Sequence, residues 1–211
     1  NEGKVDIQLG KQKIDTSDAI AGTGYIKKVY ETNAIQKDMS KVKITKSDEG
    51  PAWGALYWQY FENLDQVTDA KTELNVEKAV YKEQVTSTGK NLIPVSGNNL
   101  LKVGDKLTIR LTIRTNRDME FVHLKDMRAS CLEPQDQLSG NQWKQGMIYY
   151  QAPKDASMNF YFPAMPKGTY VLEYSVYVTA SGNYYNGIAT IQCMYAPEYT
   201  SHTSGGRLNI E

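Results

Sequence analysis

The octapeptide Leu107-Thr-Ile-Arg-Leu-Thr-Ile-Arg114 constrains this chain more than any other stretch. Leu107, Ile109, Leu111 and Ile113 alternate strictly with Thr and Arg, a period of two that a half-buried strand requires and a helix cannot use. Thr169 to Thr179 repeats the pattern, with Tyr170, Leu172, Tyr174, Val176 and Val178 on one side. Val171 and Tyr177 leave its other side partly apolar, so that strand is expected to be covered on both faces. Further strands are expected over 75–84, 120–128, 145–151, 157–162, 187–195 and 207–211. Turn signals such as Gly104-Asp105, Asn116-Arg117-Asp118 and Pro166-Lys167-Gly168 punctuate them. With no long helical period anywhere, the fold class is all-β: an antiparallel β-sandwich preceded by a smaller β-region.

That smaller region is residues 1–69, with the sandwich over 70–211. Short strands are expected at 5–9, 24–31, 41–46 and 53–61. The last, Trp53-Gly-Ala-Leu-Tyr-Trp-Gln-Tyr-Phe61, carries an aromatic or apolar residue at almost every position, including Trp53 and Trp58, and reads as a strand buried on both faces or at a domain junction. The polar, Asp-rich stretch 62–72 reads as a linker or crossover into the second half.

Charge and motifs exclude several functions. Lys plus Arg and Asp plus Glu number 24 each, so no positive excess exists to hold a phosphate backbone or an anionic membrane. No run reaches the ~18 apolar residues that would cross a bilayer. Beginning at Asn1, the chain reads as a mature product or an excised piece. The two histidines are isolated: His123 between Val122 and Leu124, His202 in a Ser/Thr/Gly stretch, with no Gly-x-Ser-x-Gly elbow to complete a triad. No phosphate-cradling loop occurs, and Asp118, Glu120 and Asp126 are too spread for a metal site, so no catalytic residue, metal or cofactor is assigned. Cys131 and Cys193 sit in strand-like surroundings that permit one disulfide or two free thiols. The chain has 15 Tyr. Tyr184-Tyr185, with Trp143 and Tyr149-Tyr150, can supply an exposed stacking platform for sugars or simply fill the core with one member of each pair.

Three phrases of the second half, in order, resemble the bacterial α2-macroglobulin family. They are Thr115-Asn-Arg-Asp-Met-Glu-Phe-Val-His-Leu-Lys-Asp-Met-Arg-Ala-Ser-Cys-Leu-Glu-Pro134, Phe162-Pro-Ala-Met-Pro-Lys-Gly-Thr-Tyr-Val-Leu-Glu-Tyr174, and the closing Met194-Tyr-Ala-Pro-Glu-Tyr-Thr-Ser-His-Thr-Ser-Gly-Gly-Arg-Leu-Asn-Ile210. Their wording is similar to Bacteroidetes versions. The resemblance implies that residues 71–211 are the terminal macroglobulin domain, corresponding to the receptor-binding domain of animal relatives, and that residues 1–69 are CUB-like strands following an absent thioester domain. It further implies a non-enzymatic fragment of a protease-trapping protein of the cell envelope, periplasmic or surface-exposed. The partners of the fragment are then other domains of its own parent and, through the parent, target proteases. The family's thioester phrase is missing, since Cys131 precedes Leu-Glu-Pro and Cys193 precedes Met-Tyr-Ala, so trapping chemistry is not expected in this piece. Its own role would be packing and shielding, with Trp53, Trp58, Tyr184 and Tyr185 as interface candidates. The alternative is a surface glycan-binding or adhesion module on a similar sandwich.

Overall fold

The computed structural model describes residues 5–17, 19–20, 22–87, 89–95 and 101–211. It divides into two compact units, Asn1–Gln59 and Tyr60–Glu211. In the first, Val5–Leu9 (β1), Gln12–Lys13 (β2) and Val42–Lys46 (β3) form a three-stranded antiparallel sheet in the order β2-β1-β3. Leu9, Ile14 and Met39 make its small core, with Ile7 and Tyr30 packed against them.

Two strands expected in this region do not form. Residues 24–31 contribute one bridge, between Ile20 and Tyr25. The aromatic segment 53–61 has no strand and is not buried: Trp53 is 92% exposed, Trp58 52% and Phe61 107%. Aromatic residues favour strands through contacts with neighbouring strands, and among the described residues none pairs with this segment.

The second unit contains Leu74–Thr86 (β4), Gly89–Pro94 (β5), Lys106–Thr115 (β6), Met119–Met127 (β7), Leu132–Pro134 (β8), Gly140–Lys144 (β9), Met147–Lys154 (β10), Ser157–Met165 (β11), Gly168–Val178 (β12), Gly182–Asn186 (β13), Ala189–Cys193 (β14), Ala196–His202 (β15) and Gly206–Ile210 (β16). Five strands pair in the order β5-β4-β6-β12-β8 and six in the order β15-β14-β7-β11-β10-β9, with β13-β16 as a separate ribbon. Every pairing is antiparallel, as the alternating patterns require. Leu107, Ile109, Leu111 and Ile113 of β6 are fully buried, and they share one core with Leu124, Phe160, Phe162, Leu172 and Ile191 from the two sheets. The expected linker or crossover 62–72 is tied to this unit. Ala70 pairs with His202, Arg207 Nε donates to Asp65 Oδ2 at 2.7 Å, and Gly205 lies so close to Leu64 that a Cβ there would sit 1.5 Å from the Leu64 carbonyl oxygen.

The outer face of the five-stranded sheet is ion-paired. Arg114 meets Glu77, and Arg110 lies 4.7 Å from the centre of the Tyr81 ring while reaching Glu173 at 2.6 Å. Val171 and Tyr177 are therefore not covered by another layer: Val171 is half-buried, and Tyr177 is exposed beneath Lys106. Glu83 Oε1 accepts from Lys90 (2.8 Å), Thr108 (2.6 Å) and Ser175 (3.0 Å), joining four neighbouring strands. β12 has only the short β8 beyond it, and the side-chain amide of Gln145 covers part of that edge. Its Nε2 donates to the Val171 carbonyl (3.1 Å) and its Oε1 accepts the Val171 N–H (2.9 Å). Gln145 (φ 53°) and Gly146 (φ 76°) are the two left-handed residues of the tight turn joining β9 to β10.

The core is not wholly apolar. Lys78 follows Leu74 and Val76 on the inward side of β4, Asp126 follows Val122 and Leu124 on that of β7, and Tyr174 follows Tyr170 and Leu172 on that of β12. The three meet between the sheets. Lys78 Nζ lies 2.7 Å from Asp126 Oδ1, and Tyr174 donates to Asp126 Oδ2 at 2.5 Å. Lys78 also donates to the carbonyls of Met127 (2.7 Å) and Gly187 (2.9 Å). Its side chain is 5% exposed and that of Asp126 0%.

Two outcomes follow from these buried charges. Lys78→Met leaves the Asp126 carboxyl without its partner in the core and lowers stability by about 3–5 kcal/mol, measured by urea unfolding. For Glu83, burial pushes the carboxyl up, but the hydrogen bonds from Lys90, Thr108 and Ser175 outweigh it and hold the group at about 2, below its ordinary 4.5. A depressed carboxyl contributes stability that is fully present above the unfolded value and lost as pH falls towards the folded one. Unfolding measured from pH 5 down to pH 2 is thus expected to lose on the order of 3 kcal/mol through this group, and Glu83→Gln to flatten that part of the slope.

Candidate interaction surface

The outer face of the six-stranded sheet differs from its counterpart. Strand register sets its side chains in rows, because directly opposed residues point to the same side. In one row Tyr150 of β10 opposes Tyr161 of β11, and Tyr161 opposes His123 of β7. The ring centres of Tyr150 and Tyr161 are 6.5 Å apart, and His123 stacks on Tyr161 at 4.6 Å with planes 6° apart. His123 Nε2 lies 3.0 Å from Asn159 Oδ1, within hydrogen-bond distance. A second group contains Trp143 opposite Ile148, and Phe121 edge-on to Tyr195 at 5.1 Å and 88°. Trp143 and Tyr195 are each 80% exposed, Ile148 62% and Phe121 49%. Pro163 and Ala164 of β11 are exposed on the same sheet.

Phe121 holds this surface in place at a cost. Its φ is 52°, a left-handed conformation that is an outlier for a bulky residue and costs roughly 1–3 kcal/mol. The distortion lets Met119 and Val122 both face the core although they are three positions apart, while Glu120 and Phe121 between them face out. The Phe121 carbonyl accepts the Met194 N–H at 3.0 Å, which ties the kink to the β14–β15 turn bearing Tyr195.

The other residues singled out from sequence fall elsewhere. Tyr184 and Tyr185 belong to β13, paired with β16. Tyr184 is half-buried against the core and donates to the Ser181 carbonyl at 2.8 Å. Tyr185 lies under the Arg207 guanidinium, 4.4 Å from ring centre to charge, and accepts from Arg207 through its hydroxyl at 2.9 Å. Tyr149 is core and Tyr150 faces out, as one member of a strand pair must. His202 ends β15 and pairs through its backbone with Ala70, far in sequence from His123 and joined to no nucleophile–base arrangement. Among the described residues no group of three or more His, Cys, Asp or Glu is placed to hold a metal ion.

Cys131 and Cys193 are both buried free thiols and form no disulfide. Cys193 opposes Val122 near the start of β7, whereas Cys131 follows the end of that strand, next to β8. Five residues of strand from Val122 to Met127 span roughly 16 Å, far beyond the ~7 Å limit between bridged Cα atoms. Burial pushes the Cys131 thiol up, away from the reactive thiolate.

With this geometry in view, comparison with known proteins is informative. The family model of the bacterial alpha-2-macroglobulin MG10 domain matches residues 74–198. No curated protein sequence matches the chain. Among solved structures, Salmonella alpha-2-macroglobulin reacted with methylamine is similar at a TM-score of 0.53 and 17% identity, over 68% of this chain and 10% of that one. Native Escherichia coli alpha-2-macroglobulin spanning domain MG7 to the C-terminus gives 0.54 and 14%, over 68% and 24%. The Escherichia coli protein activated by porcine elastase gives 0.55 and 16%, over 69% and 14%. At such identities these likenesses show the fold, and the chain spans about a tenth of the length of the Salmonella protein. The family model covers more than half of the chain, from the first strand of the sandwich into β15, so this chain belongs to the bacterial alpha-2-macroglobulin family.

Proposed function

We propose that this chain is a non-catalytic C-terminal portion of a protease-trapping alpha-2-macroglobulin of the cell envelope. Its terminal sandwich packs, through the aromatic outer face of the six-stranded sheet, against another domain of its parent and shields the trapping region until the parent is cleaved. The observation that carries this reading is the contrast between the two outer faces. One is neutralised by its own ion pairs, and the other exposes Phe121, Trp143, Ile148, Tyr150 and Tyr195. Clustered exposed aromatics of this kind anchor interfaces. About nine-tenths of the length of the Salmonella relative lies outside the region of similarity, which leaves ample parent chain to cover the face. In the first unit, exposed Trp53 and Trp58 offer a second contact of the same chemistry, while Tyr185, held under Arg207, offers only an edge.

The test uses two variants, each in the isolated chain and in the parent. Phe121→Gly relieves the left-handed strain while removing an exposed ring, and Tyr195→Ala removes its edge-on partner. In the isolated chain both are expected to stay within about 1 kcal/mol of wild type by urea unfolding. In the parent both are expected to release the shield, measured as reaction of the trapping region with a small amine before any protease is added. Parent variants that remain as protected as wild type would remove this face from the interface. A sugar array probed with the isolated chain is expected to be blank; binding that Tyr150→Ala abolishes would instead establish the adhesion reading.

A further inference from the structure

The buried Lys78–Asp126 contact is unlike the surface ion pairs of this protein. Asp126 Oδ1 is fully buried and has no hydrogen-bond donor, although Lys78 Nζ is 2.7 Å away. The amine is thus pressed against the carboxyl group outside hydrogen-bond geometry. Two of its possible N–H bonds are used by the Met127 and Gly187 carbonyls, at 2.7 and 2.9 Å. An amine held in this way keeps its third position, the lone pair, for the carboxyl. The carbonyl pair is fixed by close packing: a Cβ on Gly187 would sit 2.5 Å from Met127 Cβ. Opposite the amine, the Tyr174 hydroxyl donates to Oδ2 at 2.5 Å.

We propose that Lys78 and Asp126 condense into an intramolecular amide that joins β4 to β7 through the core. With both side chains buried, the ammonium hands a proton to the carboxylate, because desolvation favours the neutral pair over two buried ions. Burial does push the Asp126 carboxyl upwards, against the opposing pull of Lys78 and Tyr174, and it pushes the Tyr174 hydroxyl well up, which keeps that proton on the oxygen until it is needed. The Nζ lone pair then forms a bond to Cγ. As the Cγ–Oδ2 bond breaks, Tyr174 gives its proton to the leaving oxygen, and the proton shed by Nζ returns to the phenolate through the departing water. One amine and one carboxylic acid become one secondary amide and one water, and no oxidant, reductant or co-reactant is consumed. Fixed proximity of the two groups supplies what a bimolecular condensation in water lacks. Arg128, the other charged group near Asp126, spends its Nη2 on the Lys154 and Asp155 carbonyls and its Nε on that of Leu132, and its positive charge favours the ionised carboxylate, opposing the proton transfer that burial drives.

The experiment is the intact mass of the purified, folded 211-residue chain, followed by proteolysis and sequencing of the fragments. The expected result is a mass lower than the sequence by one water and a branched peptide joining the segments around Lys78 and Asp126. Lys78→Arg is expected to restore the full mass, and Tyr174→Phe to reach the same cross-linked mass more slowly than wild type when each chain, recovered unfolded from inclusion bodies, is first allowed to fold. A merely structural tyrosine would change stability but not that time course. Wild-type protein that unfolds cooperatively yet carries the full sequence mass and yields no branched peptide overturns the proposal. So does a water deficit that persists in Lys78→Arg, since it would then arise elsewhere.

Discussion

The sandwich depends on one polar contact at its centre. Backbone pairing holds each sheet together but says nothing about how the two sheets face each other, and apolar side chains from opposite layers tolerate sliding. Lys78, Asp126 and Tyr174, with the Met127 and Gly187 carbonyls, remove that freedom. Each group loses its water on burial, and the alignment of β4, β7 and β12 sets the amine against the carboxyl and two carbonyls and the tyrosine hydroxyl against the other carboxyl oxygen. The close packing of Gly187 on Met127 is part of the same device, since any side chain there would move a carbonyl that the lysine uses.

With the core thus fixed, the two outer faces diverge in chemistry. The five-stranded sheet satisfies its charges internally, through Glu77–Arg114, Arg110–Glu173 and the Glu83 cluster, and leaves little that another protein surface could desolvate cheaply. The six-stranded sheet presents rings and aliphatic groups with few charges, organised by register into neighbouring rows. The edge of β12 is guarded by the Gln145 amide, so the unit presents a face for contact there while denying a strand-pairing edge. This division of labour suits a domain that is one layer of a larger assembly.

Much of this was legible in the residues. The alternation in β6 and β12 identified the inward rows of those strands, whereas Lys78 of β4 and Asp126 of β7, two positions after Val76 and Leu124, are revealed as inward only by the structure. The same alternation made Tyr150 an outward residue beside a core Tyr149. The failures have physical causes. Segment 53–61 has strand composition without a strand to pair with, and composition does not supply hydrogen-bond partners. Short edge strands such as β5, β8 and β9 carry no period long enough to be read. Phe121 escaped notice because its exposure comes from a backbone kink, and nothing in Met-Glu-Phe-Val announces a positive φ.

The sequence alone determined the class of the fold, the approximate place of its central strands and that no Gly-x-Ser-x-Gly elbow or phosphate-cradling loop motif occurs, because these depend on local periodicity and local spacing. The tertiary structure decided which inward charges meet, that two cysteines at opposite ends of β7 stay apart, and that one sheet face is neutralised while the other is left aromatic. Those outcomes depend on strand order and register, which bring Tyr150, Tyr161 and His123 into one row and Lys78 to Asp126 across the core. Pairing between distant segments is a property of the folded chain, and no local pattern encodes it.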